Sequence, residues 1–156
     1  MKGNQEVIDA LNSLLTGELS AMDQYFVHAR MYEDWGLNEL YERIAHESDD
    51  EREHAAKLVS RILFLEGTPD VASREKLTIG SNVEEMLKND LAYENKVAAH
   101  LKTVISLCEQ KGDYVTRELL VQLLDETEDD HLYWLEKQLN LIKMIGLPNY
   151  LQSKMS

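Results

Sequence analysis

A four-helix bundle of two antiparallel hairpins joined by one long crossover, followed by a short fifth helix, is the all-α fold that the sequence predicts. Three observations carry it. Apolar residues recur by threes and fours over four long stretches, and helix-stopping signals fall between them. The two halves of the chain also repeat one acidic and histidine pattern, with Glu18 matched to Glu94 after 76 positions and Glu51 matched to Glu128 after 77. Composition agrees: among 156 residues there are only two prolines and seven glycines, while 29% are charged and 44% hydrophobic, which suits long amphipathic helices better than a β-rich protein. A chain of this length makes one domain, residues 1–156, with a sizeable core.

The first helix is expected over about 5–34, its buried stripe running through Val7, Leu11, Leu14, Glu18, Ala21, Tyr25, His28 and Tyr32 until Gly36 ends it. The second, about 38–65, carries Leu40, Ile44, Glu47, Glu51, His54, Leu58, Ile62 and Leu65, and stops at Gly67-Thr68-Pro69. From Thr68 to Gly80 the periodicity fades, so this stretch is the crossover, long enough to travel the length of a bundle. Ser81-Asn82-Val83-Glu84 has the form of a capping box, with Ser81 as N-cap, and opens a third helix over about 82–111. Asp113 caps a fourth, about 114–145, with Leu120, Leu124, Glu128, His131, Leu135, Leu139 and Ile142 on its stripe. Gly146 ends it, and Pro148 suits the first turn of the fifth, about 148–153.

Four carboxylates, Glu18, Glu51, Glu94 and Glu128, fall on the apolar stripes of the four long helices where Leu or Ala would be expected. Glu51 and His54, like Glu128 and His131, are three residues apart, so in an α-helix each pair lies side by side and reaches a common point. One lone carboxylate precedes each pair, Glu18 by 33 residues and Glu94 by 34. An unpartnered buried carboxylate costs several kcal/mol, and four facing one another also repel. Two divalent cations remove the difficulty, and carboxylate-rich sites with one His per metal suit iron or manganese; two lone Glu and two Glu-x-x-His turns are a known ligand pattern of two-metal bundles. Glu47, one turn from this set, reads as a partner for a basic residue, and the run Glu47-Ser48-Asp49-Asp50 as a solvated face. His28 reads as a hydrogen-bonded core residue, and Asp90 as a supporting acceptor or helix-interface charge.

The formal net charge of −13 disfavours nucleic acid and anionic membranes as partners and favours cations. One cysteine, Cys108, excludes an intramolecular disulfide and fits a reducing cytoplasm. No stretch has the roughly 20 apolar residues of a membrane span, and the N-terminus lacks a signal-peptide pattern. The sequence therefore reads as a soluble cytoplasmic protein.

The segments Leu14-Leu15-Thr16-Gly17-Glu18-Leu19, Asp23-Gln24-Tyr25-Phe26, Met31 to Gly36, Arg61 to Gly67 and Tyr133-Trp134-Leu135-Glu136 resemble bacterioferritin over nearly the whole chain. That resemblance implies iron storage and detoxification in a hollow shell of 24 subunits, with Fe(II) oxidised by O2 or peroxide. It implies di-iron ligation by Glu18, Glu51, His54, Glu94, Glu128 and His131, with Glu51 and Glu128 bridging, and a neighbouring tyrosine at Tyr25. His46 and Asp50 match an inner-surface iron site of some members, and a ferredoxin-type reductant is implied for iron release. The alternatives are another di-iron carboxylate oxidase or peroxidase, and a non-catalytic structural subunit of a mixed ferritin cage. One departure is Arg52, which stands where bacterioferritins carry the methionine that ligates haem between two subunits. A guanidinium supplies no soft sulfur, so a cage of this chain alone is not expected to hold haem, whereas a mixed cage with a haem-binding subunit could. Tyr133 and Asn140 stand where some relatives carry acidic pore-lining residues.

Overall fold

The computed structural model describes all 156 residues, and its regular structure is entirely helical. Helices α1 (Gln5–Asp34), α2 (Asn38–Phe64), α3 (Val83–Gln110), α4 (Tyr114–Glu126), α5 (Tyr133–Ile145) and α6 (Leu147–Ser153) follow in order, with a π-helical segment, Thr127–Leu132, joining α4 to α5. α4, the π segment and α5 form the fourth rod of the bundle, so the predicted architecture stands. The core is one apolar cluster fed by every rod, including Leu11 and Leu15 of α1, Ile44 and Leu58 of α2, Leu87 and Leu101 of α3, and Leu120 and Leu135 of the fourth.

Local chemistry sets most of the ends. Asn4 caps α1, its side chain accepting from the N–H groups of Glu6 and Val7. Gly36 adopts φ +79°, a left-handed turn that lets Leu37 N–H reach back to the Tyr32 carbonyl and reverse the chain. At the end of α2 the left-handed residue is Glu66, φ +64°, rather than the adjoining glycine. Gly67 is needed for another reason: a Cβ there would lie 2.6 Å from Ile8 Cγ2. The expected Ser81 cap is corrected: Asn82 is the N-cap of α3, accepting from Glu85 N–H at 2.9 Å, while Ser81 Oγ donates to the Glu85 carboxylate. The frame is thus shifted by one residue, because Asn82 competes for the same role and its carbonyl oxygen is as good an acceptor. Asp113 caps α4 as expected and also takes Arg61 Nη2 of α2 at 3.3 Å. α6 folds back so that Tyr150 is buried against Gln138, and the Lys154 carbonyl accepts Glu39 N–H in the first turn of α2, which has no side-chain cap.

The crossover between α2 and α3 has no regular structure, yet several of its backbone polar groups are satisfied by one face of α1. Asn12 exchanges hydrogen bonds with the Thr68 carbonyl and Asp70 N–H, Ser20 Oγ accepts Glu75 N–H, Gln24 Oε1 accepts Thr78 N–H, and His28 Nε2 accepts Gly80 N–H. Steps of eight, four and four residues keep these side chains on one side of the helix, so a polar stripe guides the strap along the bundle. His28 is a hydrogen-bonded core residue, as the sequence predicts. Buried Asp90 lies 2.9 Å from His28 Nδ1 and accepts Gln24 Nε2 at 2.9 Å, a helix-interface charge tying α3 to that stripe. Burial holds its carboxyl above the ordinary carboxylate range, against the opposing pull of His28.

The fourth rod departs from expectation at one turn. Its buried residues are Thr116, Leu120, Leu123, Thr127, His131, Leu135, Gln138 and Ile142. Three consecutive steps of four, from Leu123 through Thr127 and His131 to Leu135, replace the expected Leu124-Glu128-His131 stripe. A π turn holds roughly one residue more than an α turn, so residues three apart no longer lie side by side.

Candidate metal centre

Each of the four rods sends a titratable side chain to the bundle axis at one level. Glu18 comes from α1, Glu51 and His54 from α2, Glu94 from α3 and His131 from the π segment, and none is more than 1% exposed. Glu51 and His54 are aligned by the α-helical repeat, while His131 is carried inward by the π turn.

The carboxylate of Glu51 lies at the centre. Its Oε2 is 3.6 Å from His54 Nδ1, and its Oε1 is 2.9 Å from His131 Nδ1. Glu18 Oε2 completes the first side, 3.5 Å from His54 Nδ1, and Glu94 Oε1 the second, 3.4 Å from His131 Nδ1. Two three-ligand groups result, Glu18-Glu51-His54 and Glu51-Glu94-His131, each with its donor atoms within 4.8 Å of one another. The imidazole rings stack face to face at 6.0 Å. Tyr25 OH donates to Glu94 Oε1 at 2.5 Å and packs edge-on to His131, so it borders this cluster.

Glu128 does not join them. Its side chain is half exposed, 3.9 Å from Lys102 Nζ on α3, in a surface groove with Tyr133 and Glu136. The expected side-by-side pairing with His131 assumed α-helical spacing, and the π turn removes that assumption. The inward place one turn before His131 goes to Thr127, fully buried and with no partner for Oγ1.

Two carboxylates outside the expected ligand set contact the far edges of the histidines. Glu126 Oε2 lies 2.6 Å from His54 Nε2, and Glu47 Oε2 lies 2.5 Å from His131 Nε2. Glu47 is the partner of a basic residue, as expected, since Arg43 Nε donates to its Oε1 at 2.7 Å; its burial, with that of Ser48, corrects the reading of this run as a solvated face. The same Arg43 donates through Nη2 to the Asp130 carbonyl in the π segment and lies over the Trp134 ring. Glu47 lies on the stripe already predicted for α2, whereas Glu126 could have been found only from the π register, which no periodicity in the sequence announces. Asp50 Oδ2 is 3.4 Å from His131 Nε2, and Asp50 Oδ1 is 3.6 Å from the exposed His46 Nε2. The His46 and Asp50 pair therefore begins at the centre's edge and ends at the surface. Arg52 is exposed on α2.

Electrostatics mark the centre as short of positive charge. Both oxygens of Glu18, both of Glu51 and Oε2 of Glu94 are buried without a hydrogen-bond partner, as is His54 Nδ1. Burial, then the neighbouring Glu51 charge, pushes the Glu18 carboxyl up to about 8. Burial alone would lower His54, but its contacts with Glu18 and Glu51 outweigh that and raise it to about 11. His131 is likewise raised against the opposing effect of burial, by Asp50, Glu47, Glu51 and Glu94. Burial and the Glu94 charge hold the Tyr25 phenol well above its ordinary value. Without cations the site thus keeps protons that cations would displace. Unpartnered carboxylate oxygens, with one imidazole Nδ1 in each of two sets, are a donor set suited to two divalent cations of the iron and manganese type.

Fold and site together define a four-helix bundle with a buried carboxylate and histidine centre shared by all four rods. The profile of the ferritin-like domain matches residues 8–145, and the chain belongs to the ferritin family. It is 56% identical over 156 residues, the full length of both chains, to a bacterial ferritin of Synechocystis sp.. A bacterial ferritin of Pseudomonas aeruginosa is 55% identical over 154 residues, 99% of each chain, and a bacterioferritin of Brucella melitensis 41% identical over 150 residues, 96% of this chain and 92% of that one. No helix is long and apolar enough to cross a membrane.

Proposed function

We propose that this chain stores iron as the subunit of a closed cage and oxidises Fe(II) at the buried centre. Membership of the ferritin family supports storage. The observation that carries the oxidation is the position of Glu51, whose two oxygens face two separate ligand sets. Fe(II) is the substrate. One ion binds Glu18, Glu51 and His54, the other Glu51, Glu94 and His131, with Glu51 between them. Two Fe(II) held together give up two electrons at once, so O2 and two protons become H2O2, or H2O2 and two protons become water, with no one-electron oxygen product released. Tyr25 keeps Glu94 oriented through its hydrogen bond. The centre excludes bulk water because all five ligands are buried.

The ferric product leaves past His131 toward Asp50 and His46, the only one of the two histidine edges whose carboxylates continue to another histidine, the exposed His46. A 24-subunit shell, located in the cytoplasm, encloses the mineral. Symmetric closure of one repeated interface accounts for such a shell. With Arg52 at the position of the family's haem ligand, a cage of this chain alone holds no haem. The test is stopped-flow oxidation of Fe(II) under O2 by the wild type, Glu51→Gln and Glu94→Ala. Loss of the fast phase in both variants, with cage mass unchanged by light scattering, is the expected result; unchanged initial rates would overturn the assignment.

A further inference from the structure

We infer that Glu126 is a positioning residue for the Glu18 side of the centre: its carboxylate fixes the tautomer and plane of the His54 ring. The inference rests on the two-cation reading above. A neutral imidazole carries one proton, and a carboxylate at one nitrogen draws that proton there, leaving the lone pair on the other. His54 Nε2 lies 2.6 Å from Glu126 Oε2 across the gap between α2 and α4, while Nδ1, buried and without a hydrogen-bond partner, lies 3.5 Å from Glu18 and 3.6 Å from Glu51. The ring therefore offers its lone pair to the cation position and its N–H to Glu126.

The two histidines are supported differently. On His131 the corresponding carboxylate is Glu47, 2% exposed and clamped by Arg43, so its removal would disturb core packing as well as the ring. Glu126 is 44% exposed and has only Lys57 Nζ, 3.8 Å away, as another charged neighbour. Substitution there leaves the bundle interior alone. Glu126 is also the last residue of α4 before the π segment, so the widened turn that moves Glu128 outward is continuous with the backbone that holds Glu126 beside His54.

The test uses the full-length protein with Co(II) as the probe, added without O2. Affinity is read by calorimetry and coordination geometry by the visible d–d absorption bands. Carboxylates that support a ligating histidine are worth about 10- to 100-fold in metal affinity. Glu126→Ala is expected to weaken one of the two Co(II) ions by that factor and to change its absorption bands. Glu126→Gln, which still accepts the Nε2 proton but carries no charge, is expected to fall between Ala and wild type. Glu118→Gln, an exposed change of the same charge on α4, is expected to match the wild type. If Glu126→Ala does not assemble, Glu126→Gln decides. Co(II) affinity and spectra within twofold of wild type, with only the melting temperature moved, would give Glu126 a purely structural role and overturn the inference. A wild type that takes up no Co(II) at the centre would instead remove the two-cation reading itself.

Discussion

Replacing Glu18 with Met should make the metal-free protein more stable, and the gain should depend on pH in a stated direction. The Glu18 carboxyl is 1% exposed, neither oxygen has a hydrogen-bond partner, and burial with the Glu51 charge raises it from 4.5 to about 8. A group raised in the folded state contributes stability that is fully present below its unfolded value and is lost as pH rises through the folded one. At pH 7 the unfolded chain has shed a proton that the folded chain keeps. At about 1.4 kcal/mol per tenfold, the interval from 4.5 to 7 costs roughly 3 kcal/mol. At pH 5 the same reasoning leaves less than about 1 kcal/mol. Methionine fills a similar unbranched volume without a polar group. Scanning calorimetry of chelator-treated protein should therefore show Glu18→Met melting roughly 6 to 12 °C higher at pH 7, and only slightly higher at pH 5. Fe(II) uptake should be lost in the same variant. A melting temperature unchanged or lowered at pH 7, or a gain as large at pH 5 as at pH 7, would refute the reasoning that the site is held against the fold's own preference.

Three other expectations follow from particular residues. Arg52→Met should allow haem to bind between subunits, read as a Soret band in protein expressed with excess haem, whereas the unsubstituted chain alone should show none; a band at about one haem per two subunits in the unsubstituted chain would contradict this. Gly67→Ala should destabilise by about 1 to 3 kcal/mol, because the new Cβ would lie 2.6 Å from Ile8 Cγ2 and 3.0 Å from Ile62 Cγ2, and denaturant titration at constant m-value checks it. Cys108 is fully buried, and burial with the Asp113 charge pushes its thiol up to about 11, so a maleimide reagent at pH 7 should label it slowly in the native protein and fast in denaturant.

The bundle was legible in the sequence because long amphipathic stripes have a period that only a helix satisfies, and the helix ends lie at Gly36, Gly112 and Gly146, where positive φ is needed. Five of six expected ligands meet at the axis for the same reason: α1, α2 and α3 are regular where Glu18, Glu51, His54 and Glu94 sit, and His131 stays inward in the irregular turn. Glu128 was misplaced because its spacing from His131 has two meanings, one face in an α-helix and two faces in a π turn. Nothing in Thr127-Glu128-Asp129-Asp130 distinguishes these by composition. The register is set by distant groups, among them Arg43 on the Asp130 carbonyl, and such contacts are invisible until the rods are packed. The polar stripe Asn12, Ser20, Gln24 and His28 escaped notice as a unit for a related reason. Its partners are backbone groups of the crossover, which carry no sequence signal.

The central claim is that Glu51 divides one buried centre into two cation positions. Anomalous diffraction at the iron edge, from crystals of the full-length protein soaked anaerobically with Fe(II), tests it most directly. The account predicts two peaks per chain flanking the Glu51 carboxylate, one beside Glu18 and His54 Nδ1, the other beside Glu94 and His131 Nδ1. A single peak, or iron found only on the outer carboxylates Glu47 and Asp50, would contradict it.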